Sequence, residues 1–244
     1  MHLINSIFRR ELTSYFSTPL AYVFIVIFLA LNGIFTFYIG GWFEREQADL
    51  KPFFDYHPLL YLFLIPALSM RLWAEERKTG TIELLMTLPI STWQAVIAKY
   101  LAAWVFSGIA LVLTFPVWLT VNYLGNPDNL VIAVGYIGSF LMAGAYLSIG
   151  SCVSALTRNQ VIAFIITVVI CFIFVLAGTP MVLDLFQSWL PQILISTISN
   201  LSISSHFNSI LNGVIDIRDL VFFFSFISCW LLANIVVVEI TKAD

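Results

Sequence analysis

The sequence predicts an all-α polytopic membrane protein with six transmembrane helices, on three observations. Of the 244 residues 60% are apolar and 10% are charged, with a mean hydropathy of +0.96. A soluble domain carries roughly 25% charge, and one of this size exposes too much surface to hide so many apolar side chains. The few charges bound six apolar runs, each close to the roughly 20 residues that cross a bilayer. The basic residues are also distributed unevenly between the loops that join those runs. This composition excludes a soluble enzyme, a disordered chain and a nucleic-acid binder, and a net charge of −3 argues for no particular partner.

Residues 3–16 form an interfacial helix. Leu3, Ile4, Ile7, Phe8, Leu12, Tyr15 and Phe16 cover one broad side, and Arg9, Arg10 and Thr13 cover the other. Glu11 projects into the apolar side, where a bare carboxylate is costly. The expectation is a basic partner, with Arg71 or Arg77 foremost; the alternative is hydration at the headgroup level. Ser17-Thr18-Pro19 ends this helix and opens span one, about 20–41. Arg9 and Arg10 precede an apolar run too long for a cleaved signal, so span one is expected to stay as an anchor.

Span two covers about 56–73, with Arg71 able to snorkel. Span three, about 100–124, carries Pro116 as a kink. Span four, about 130–156, places Gly144, Ser148 and Cys152 at every fourth position, which suits close helix packing. Spans five and six cover about 160–183 and 220–238. The uncharged stretch 185–215, which holds the outer helices at about 186–213, is too polar to count, with Gln187, Gln192, Asn200, His206, Asn208 and Asn212, and Pro191 interrupts it. Its apolar residues recur at helical spacing: Phe186, Leu190, Ile193 and Leu194, then Phe207, Ile210, Leu211 and Val214. It reads as two short amphipathic helices at the membrane surface, the second stopped by Gly213. Asp216 or Asp219 caps span six.

Six spans put both termini on one side. With that side cytoplasmic, the inside holds Arg9, Arg10, Arg71, Arg77, Lys78, Lys99, Arg158 and Lys242, and the outside holds Arg45, Lys51 and Arg218. This is the positive-inside pattern.

The loop from Arg71 to Lys99 is dense in signals. Span two continues as helix through Lys78 and stops at Gly80. Thr81 caps a new short helix, about 81–88, with Glu83 in its first turn and Pro89 at its end. Ser91 and Gln94 make a capping-box pattern for span three. Ile82, Leu84, Leu85, Met86 and Leu88 are too apolar for a free loop, so the helix buries them against a partner protein or lies on lipid headgroups.

Other chemistry is not signalled. The predicted span cores hold no acid or base, where ion-coupled transporters normally place them. His2, His57 and His206 are far apart in sequence, and Cys152, Cys171 and Cys229 read as small buried hydrophobes. There is no HExxH, GxSxG or paired-carboxylate pattern, and no catalytic, cofactor-binding or metal-ligating set is predicted. No GxxxxGK[ST] phosphate loop is present, so active transport would draw its energy from another subunit. Asn32, Thr36, Thr114, Asn122 and Ser225 could line a path for an amphipathic cargo, and the preferred reading is packing contacts.

Four stretches share one further pattern. They are Arg9-Arg10-Glu11-Leu12 through Tyr15-Phe16 to Pro19 and Tyr22; Ile65-Pro66-Ala67, Met70-Arg71 and Ala74-Glu75-Glu76-Arg77-Lys78-Thr79-Gly80-Thr81-Ile82-Glu83-Leu84-Leu85 with Pro89; Leu156-Thr157-Arg158-Asn159-Gln160; and His206-Phe207, Gly213-Val214-Ile215-Asp216 and Arg218-Asp219-Leu220. In these the chain resembles the permease subunits of type-2 ABC exporters (type V fold). The nearest subgroup is the gliding-motility (GldF-like) and nitrous-oxide-reductase maturation (NosY-like) permeases. The short loops after spans one and three leave no room for a large outer domain.

The resemblance implies a permease that is not an enzyme by itself, in the bacterial inner (cytoplasmic) membrane, with both termini cytoplasmic. It implies two ATPase subunits that hold ATP and Mg, a second permease chain (identical or different), the lipid bilayer, and room for an extracytoplasmic accessory protein. It assigns coupling to the ATPase to Glu75, Glu76, Arg77, Gly80, Thr81 and Glu83. Bracing falls to Glu11, Arg71 and Arg158, and the outer gate to His206, Phe207, Gly213 and Asp216. It fits equally an ABC-type mechanotransmitter or scaffold, in which ATPase-driven motion does assembly or extracytoplasmic work without moving a solute.

Overall fold

The computed structural model describes residues 2–82, 90–179, 182–184, 191–214 and 216–241, and among these residues every regular element is helical. In chain order they are α1 (His2–Ser17), α2 (Pro19–Gly33) running into a π-turn (Ile34–Ile39), α3 (Lys51–Asp55), α4 (His57–Ser69), α5 (Ala74–Thr79), α6 (Thr92–Val112), α7 (Phe115–Leu124), α8 (Asn129–Leu156), α9 (Gln160–Leu176), α10 (Gln192–Asn200), α11 (Ile203–Leu211) and α12 (Ile217–Ile240).

Five stretches are long and apolar enough to cross a membrane: Ala21–Ile39, His57–Thr79, Thr92–Leu124, Asn129–Leu156 and Ile217–Ile240. A shorter apolar helix, α9, has 17 residues. The fifth predicted run therefore ends earlier than its apolar composition suggests. After Leu176 the chain turns at Ala177–Thr179, and Gly178 lies so close to Ser202 and Ser205 that a side chain at 178 would collide with them.

Helix α8 is the axis of the bundle, with α4, α6, α9, α11 and α12 packed around it. Between apolar helices in lipid there is little hydrophobic drive, so close approach and hydrogen bonds decide the packing. Glycines of α8 supply the close approach, Gly144 on the predicted small-residue face and Gly138 and Gly150 on other faces of the helix. A Cβ on Gly144 would meet Trp104 at 2.8 Å, one on Gly138 would meet Ile210 at 2.8 Å, and one on Gly150 would collide with Ser69. Ser148 and Cys152 are buried on the same helix.

Polar ties set the register along α8. Near its start His57 bridges α2 and α8: Ser139 lies 2.8 Å from Nδ1 and Asn32 Oδ1 lies 3.0 Å from Nε2. The Asn32 amide donates to Phe28 O at 2.9 Å, so the ring donates through Nε2 and accepts the Ser139 hydroxyl at Nδ1. Further along, Trp104 Nε1 donates to Phe140 O at 2.9 Å and Tyr100 OH to Gly144 O at 3.1 Å. Close to its end Asn234 donates to Ser151 at 2.7 Å. The contacts 57–139 and 69–150 make α4 run with α8, and the pairs 104–140 and 100–144 make α6 run against it.

Three of the predicted local signals take their expected form. Pro116 cannot donate, and the third span breaks at Leu113–Thr114 into α6 and α7, where Thr114 Oγ1 donates to Leu111 O at 2.6 Å. Asp216 is the residue that caps α12, accepting from Arg218 N at 3.0 Å. The Ser91 N–H donates to Gln94 Oε1 at 3.2 Å at the start of α6. Of the five polar span residues, Asn32, Thr36 and Thr114 are buried within the bundle, as packing contacts would be, whereas Asn122 and Ser225 are exposed.

Candidate functional site

Charge gathers where α4 and α8 end. Helix α4 stops at Ser69, and the next turn, Met70–Trp73, lacks the regular ladder. One hydroxyl replaces it: Ser154 Oγ accepts from Trp73 N and Ala74 N at 3.1 Å each and donates to Met70 O at 2.9 Å. This re-aims the chain into α5, whose first turn carries Glu75 and Glu76 and whose last turn carries Arg77 and Lys78, the order that suits the helix dipole. Gly80 ends α5 with φ +72°, a left-handed cap that favours glycine. The Thr79 hydroxyl donates to Glu75 O at 2.9 Å and pairs with the Thr81 hydroxyl at 2.9 Å, so the end of the helix is closed by side chains.

Each predicted charge then finds a place. Arg71 Nε donates to Glu75 at 3.0 Å. Arg77 reaches across to the last turn of α8 and donates to Ala155 O at 2.6 Å, a cation on a helix C-terminus. Glu76 meets Lys99 at 2.8 Å, and Lys99 also lies 3.3 Å from Glu11. Arg10 completes the set, 2.7 Å from Glu11. An open cavity of about 420 Å³ sits among these groups, lined by Arg10, Tyr15, Arg71, Glu75, Glu76 and Thr81 among others.

Two expectations are corrected. Glu11 does gain cations, but they are Lys99 and Arg10 in place of Arg71 or Arg77, because α1 lays its apolar face on α6. There Tyr15 stacks on Phe106 at 5.1 Å and Phe16 meets the same ring edge-on at 5.6 Å. Burial pushes the Glu11 carboxyl up, while Lys99 and Arg10 pull it down, and the net direction is below the ordinary value of 4.5. Burial raises the neighbouring Tyr15 phenol. Lys99 is the second correction: it is no loop residue. Helix α6 begins at Thr92, so Lys99 stands two turns inside it, 2% exposed, with its ammonium 5.4 Å from the centre of the Trp73 ring. The signal was present in the sequence, since a capping box at Ser91 and Gln94 already starts the helix upstream of Lys99. Ser154 had no such signal, because the break it closes is about 80 residues away in sequence.

Glu83, with the rest of the predicted helix from 83 to 88, lies outside the described residues, as does the 186–190 part of the predicted outer helices. Arg158 is exposed in the turn between α8 and α9, beside Asn159, which caps α9 through Val161 N at 2.9 Å.

The residues assigned to the outer gate meet at the opposite end of α8. His206 on α11 pairs with Asp219 on α12 at 2.6 Å through Nδ1, lies 2.9 Å from Asn200 O through Nε2, and stacks on Phe222 at 3.9 Å. Phe207 is fully buried, lying with Ile210 against Gly138. Gly213 closes α11 with φ +85°, and a side chain there would press Val131. Asp216 stands next to this group as the cap of α12. Among the described residues no group of three or more His, Cys, Asp or Glu side chains could hold a metal.

A helical bundle with five membrane-length apolar segments, tied together by buried side-chain hydrogen bonds, is a multi-pass membrane protein. Residues 56–241 match the family described as ABC-2 family transporter protein, so the chain belongs to that family and is a permease component of an ABC transporter. The match takes in α4 to α12, including the cluster at α5 and the His206–Asp219 pair, and begins after α1 and α2. No curated protein matches the chain.

Proposed function

We propose that this chain is the transmembrane permease subunit of an ATP-driven exporter, a member of the gliding-motility and nitrous-oxide-reductase maturation subgroup. In this reading it crosses the bacterial inner membrane six times with both termini cytoplasmic. It pairs with a second permease chain and rests on two ATPase subunits that bind ATP and Mg, and it hydrolyses nothing itself. The α5 end of the bundle faces the cytoplasm, and α10 and α11 form the outer gate.

The observation that supports this most is the construction of α5. A six-residue helix carrying Glu75, Glu76, Arg77 and Lys78 leaves the bundle at a serine-stabilised break and ends in Gly80 and Thr81. Four charges in six residues suit contact with a polar protein surface better than burial in lipid. Arg77 and Glu76 anchor it to α8 and α6, so a push on α5 is passed to the bundle.

Co-purification from native membranes tests the reading: an ATPase subunit is expected with the wild-type chain, and its absence would overturn the proposal. Glu75→Lys then probes coupling at a half-exposed position, leaving Glu76 on its buried partner. The expected result is normal insertion with loss of the permease-dependent part of ATP hydrolysis. Recovery of an ATPase without any solute movement would assign the complex to a mechanotransmitter instead.

A further inference from the structure

Helix α5 packs on α8 and α9, and it reaches α1 and α6 through charge. Lys99 is that link. Its side chain is 3% exposed and rises from the second turn of α6 under the Trp73 ring. Its ammonium is shared by Glu76 of α5 at 2.8 Å and Glu11 of α1 at 3.3 Å. The two carboxylates are not equivalent. Glu11 has a second cation, Arg10, at 2.7 Å, and α1 is also held to α6 by the stacking of Tyr15 and Phe16 on Phe106. The second oxygen of Glu76 is buried without a hydrogen-bond partner, so Lys99 carries the compensation of that carboxylate.

We infer that Lys99 is a positioning residue that couples α5 to α1 and α6: it holds Glu76 and Glu11 on one ammonium, so that a displacement of α5 is carried to the interfacial helix and the third span together. The functional half of this inference rests on α5 being the contact with the ATPase. Its structural half rests on the ion cluster alone.

The test compares Lys99→Met, Lys99→Arg and the charge-free triple variant Glu11→Gln/Glu76→Gln/Lys99→Met, as full chains in nanodiscs of phosphatidylethanolamine and phosphatidylglycerol. Amide exchange across α1 and α5 is read in the chain alone. ATP hydrolysis is read in the complex with the ATPase subunit that co-purifies with it. Lys99→Met is expected to raise exchange in α5 at least about tenfold and to abolish the permease-dependent part of hydrolysis. Lys99→Arg, which keeps the charge on a bulkier head, is expected to fall between wild type and Lys99→Met in both readouts. Should Lys99→Met fail to insert, the triple variant, which leaves no buried ion unpaired, takes its place and is expected to fold but not to couple. Wild-type coupling in Lys99→Met or in the triple variant would overturn the inference, as would Lys99→Arg behaving like Lys99→Met. If wild-type chain recovers no ATPase, the permease reading fails while the exchange measurements still decide the role of Lys99.

Discussion

Single polar atoms do much of the structural work in this bundle, because each one sits where no water can substitute for it. Ser154 is the clearest case. Its hydroxyl serves two amides and one carbonyl of the turn between α4 and α5. Ser154→Ala leaves those groups buried and unpaired, and the expected cost is about 2–4 kcal/mol, measurable by denaturant unfolding in micelles. Ser154→Thr, which keeps the hydroxyl, is expected to recover most of that loss if its methyl fits. Glu11 yields a prediction in pH. Its folded carboxyl lies below the ordinary 4.5 because of Lys99 and Arg10, so it contributes stability that is fully present above 4.5 and is lost as pH falls through the folded value. Thermal unfolding of the wild-type chain is expected to weaken below about pH 4.5, and Glu11→Gln is expected to flatten that part of the profile. At this scale the sequence revealed the need without the partner. An acid on the apolar side of the 3–16 helix demanded a cation, but which one depends on how α1 lies on α6, and that choice is made by aromatic stacking far along the chain.

Whole elements were more legible, because their signals are local. Ser91 with Gln94, Gly80, Pro116, Asp216 and Gly213 each act within a few residues of themselves, and each marks a helix boundary in the structure. The spacing of Gly144, Ser148 and Cys152 likewise announced a crowded face on α8. What spacing cannot reveal is a break bridged by a distant residue, such as the turn at Met70–Trp73, or a close tertiary approach just past a helix end, as at Gly178 against Ser202. The short helices α10 and α11 depend on one such distant contact. His206 joins Asn200 at the end of α10 to Asp219 on α12 and stacks on Phe222. Two side-chain hydrogen bonds at about 0.5–1.5 kcal/mol each set the scale. His206→Ala is therefore expected to speed amide exchange in α10 and α11 by roughly tenfold while leaving α8 protected. Equal loosening of α8 would show that the pair supports the whole bundle. Conversely, Gly138→Leu is expected to push Ile210 away from α8 and to loosen α11 alone.

For the molecule as a whole, the open matter is whether the 17-residue helix α9 carries the chain back across the membrane. The loop charges do not decide it. If α9 stays on the cytoplasmic side, Arg218 moves in and Lys242 moves out, and the balance of basic residues is unchanged. Packing decides it. Thr167 of α9 lies against Gly150 of α8, so α9 starts beside the end of α8 and turns back along it. Past its end, Gly178 lies against Ser202 and Ser205, at the start of α11. Phe207 and Ile210 of that helix pack on Gly138, near the beginning of α8. Helix α12 then runs from Asp219, beside His206, to Asn234, beside Ser151, and so covers the same depth in the direction of α8. In chain order, the return from the level of Ser151 to that of Gly138, between α8 and α11, is made by α9. At about 1.5 Å per residue it measures roughly 25 Å, some 5 Å short of a typical hydrocarbon core, a mismatch that local thinning of the bilayer accommodates at modest cost. The prediction is that reporters fused to the two ends of the chain both report the cytoplasmic side, and that a cysteine at Arg158 is labelled from that side while one at Asn212 is labelled from the other. Opposite locations for the two ends would mean that α9 folds back at the surface, and the outer-gate assignment of His206 and Phe207 would fall with it.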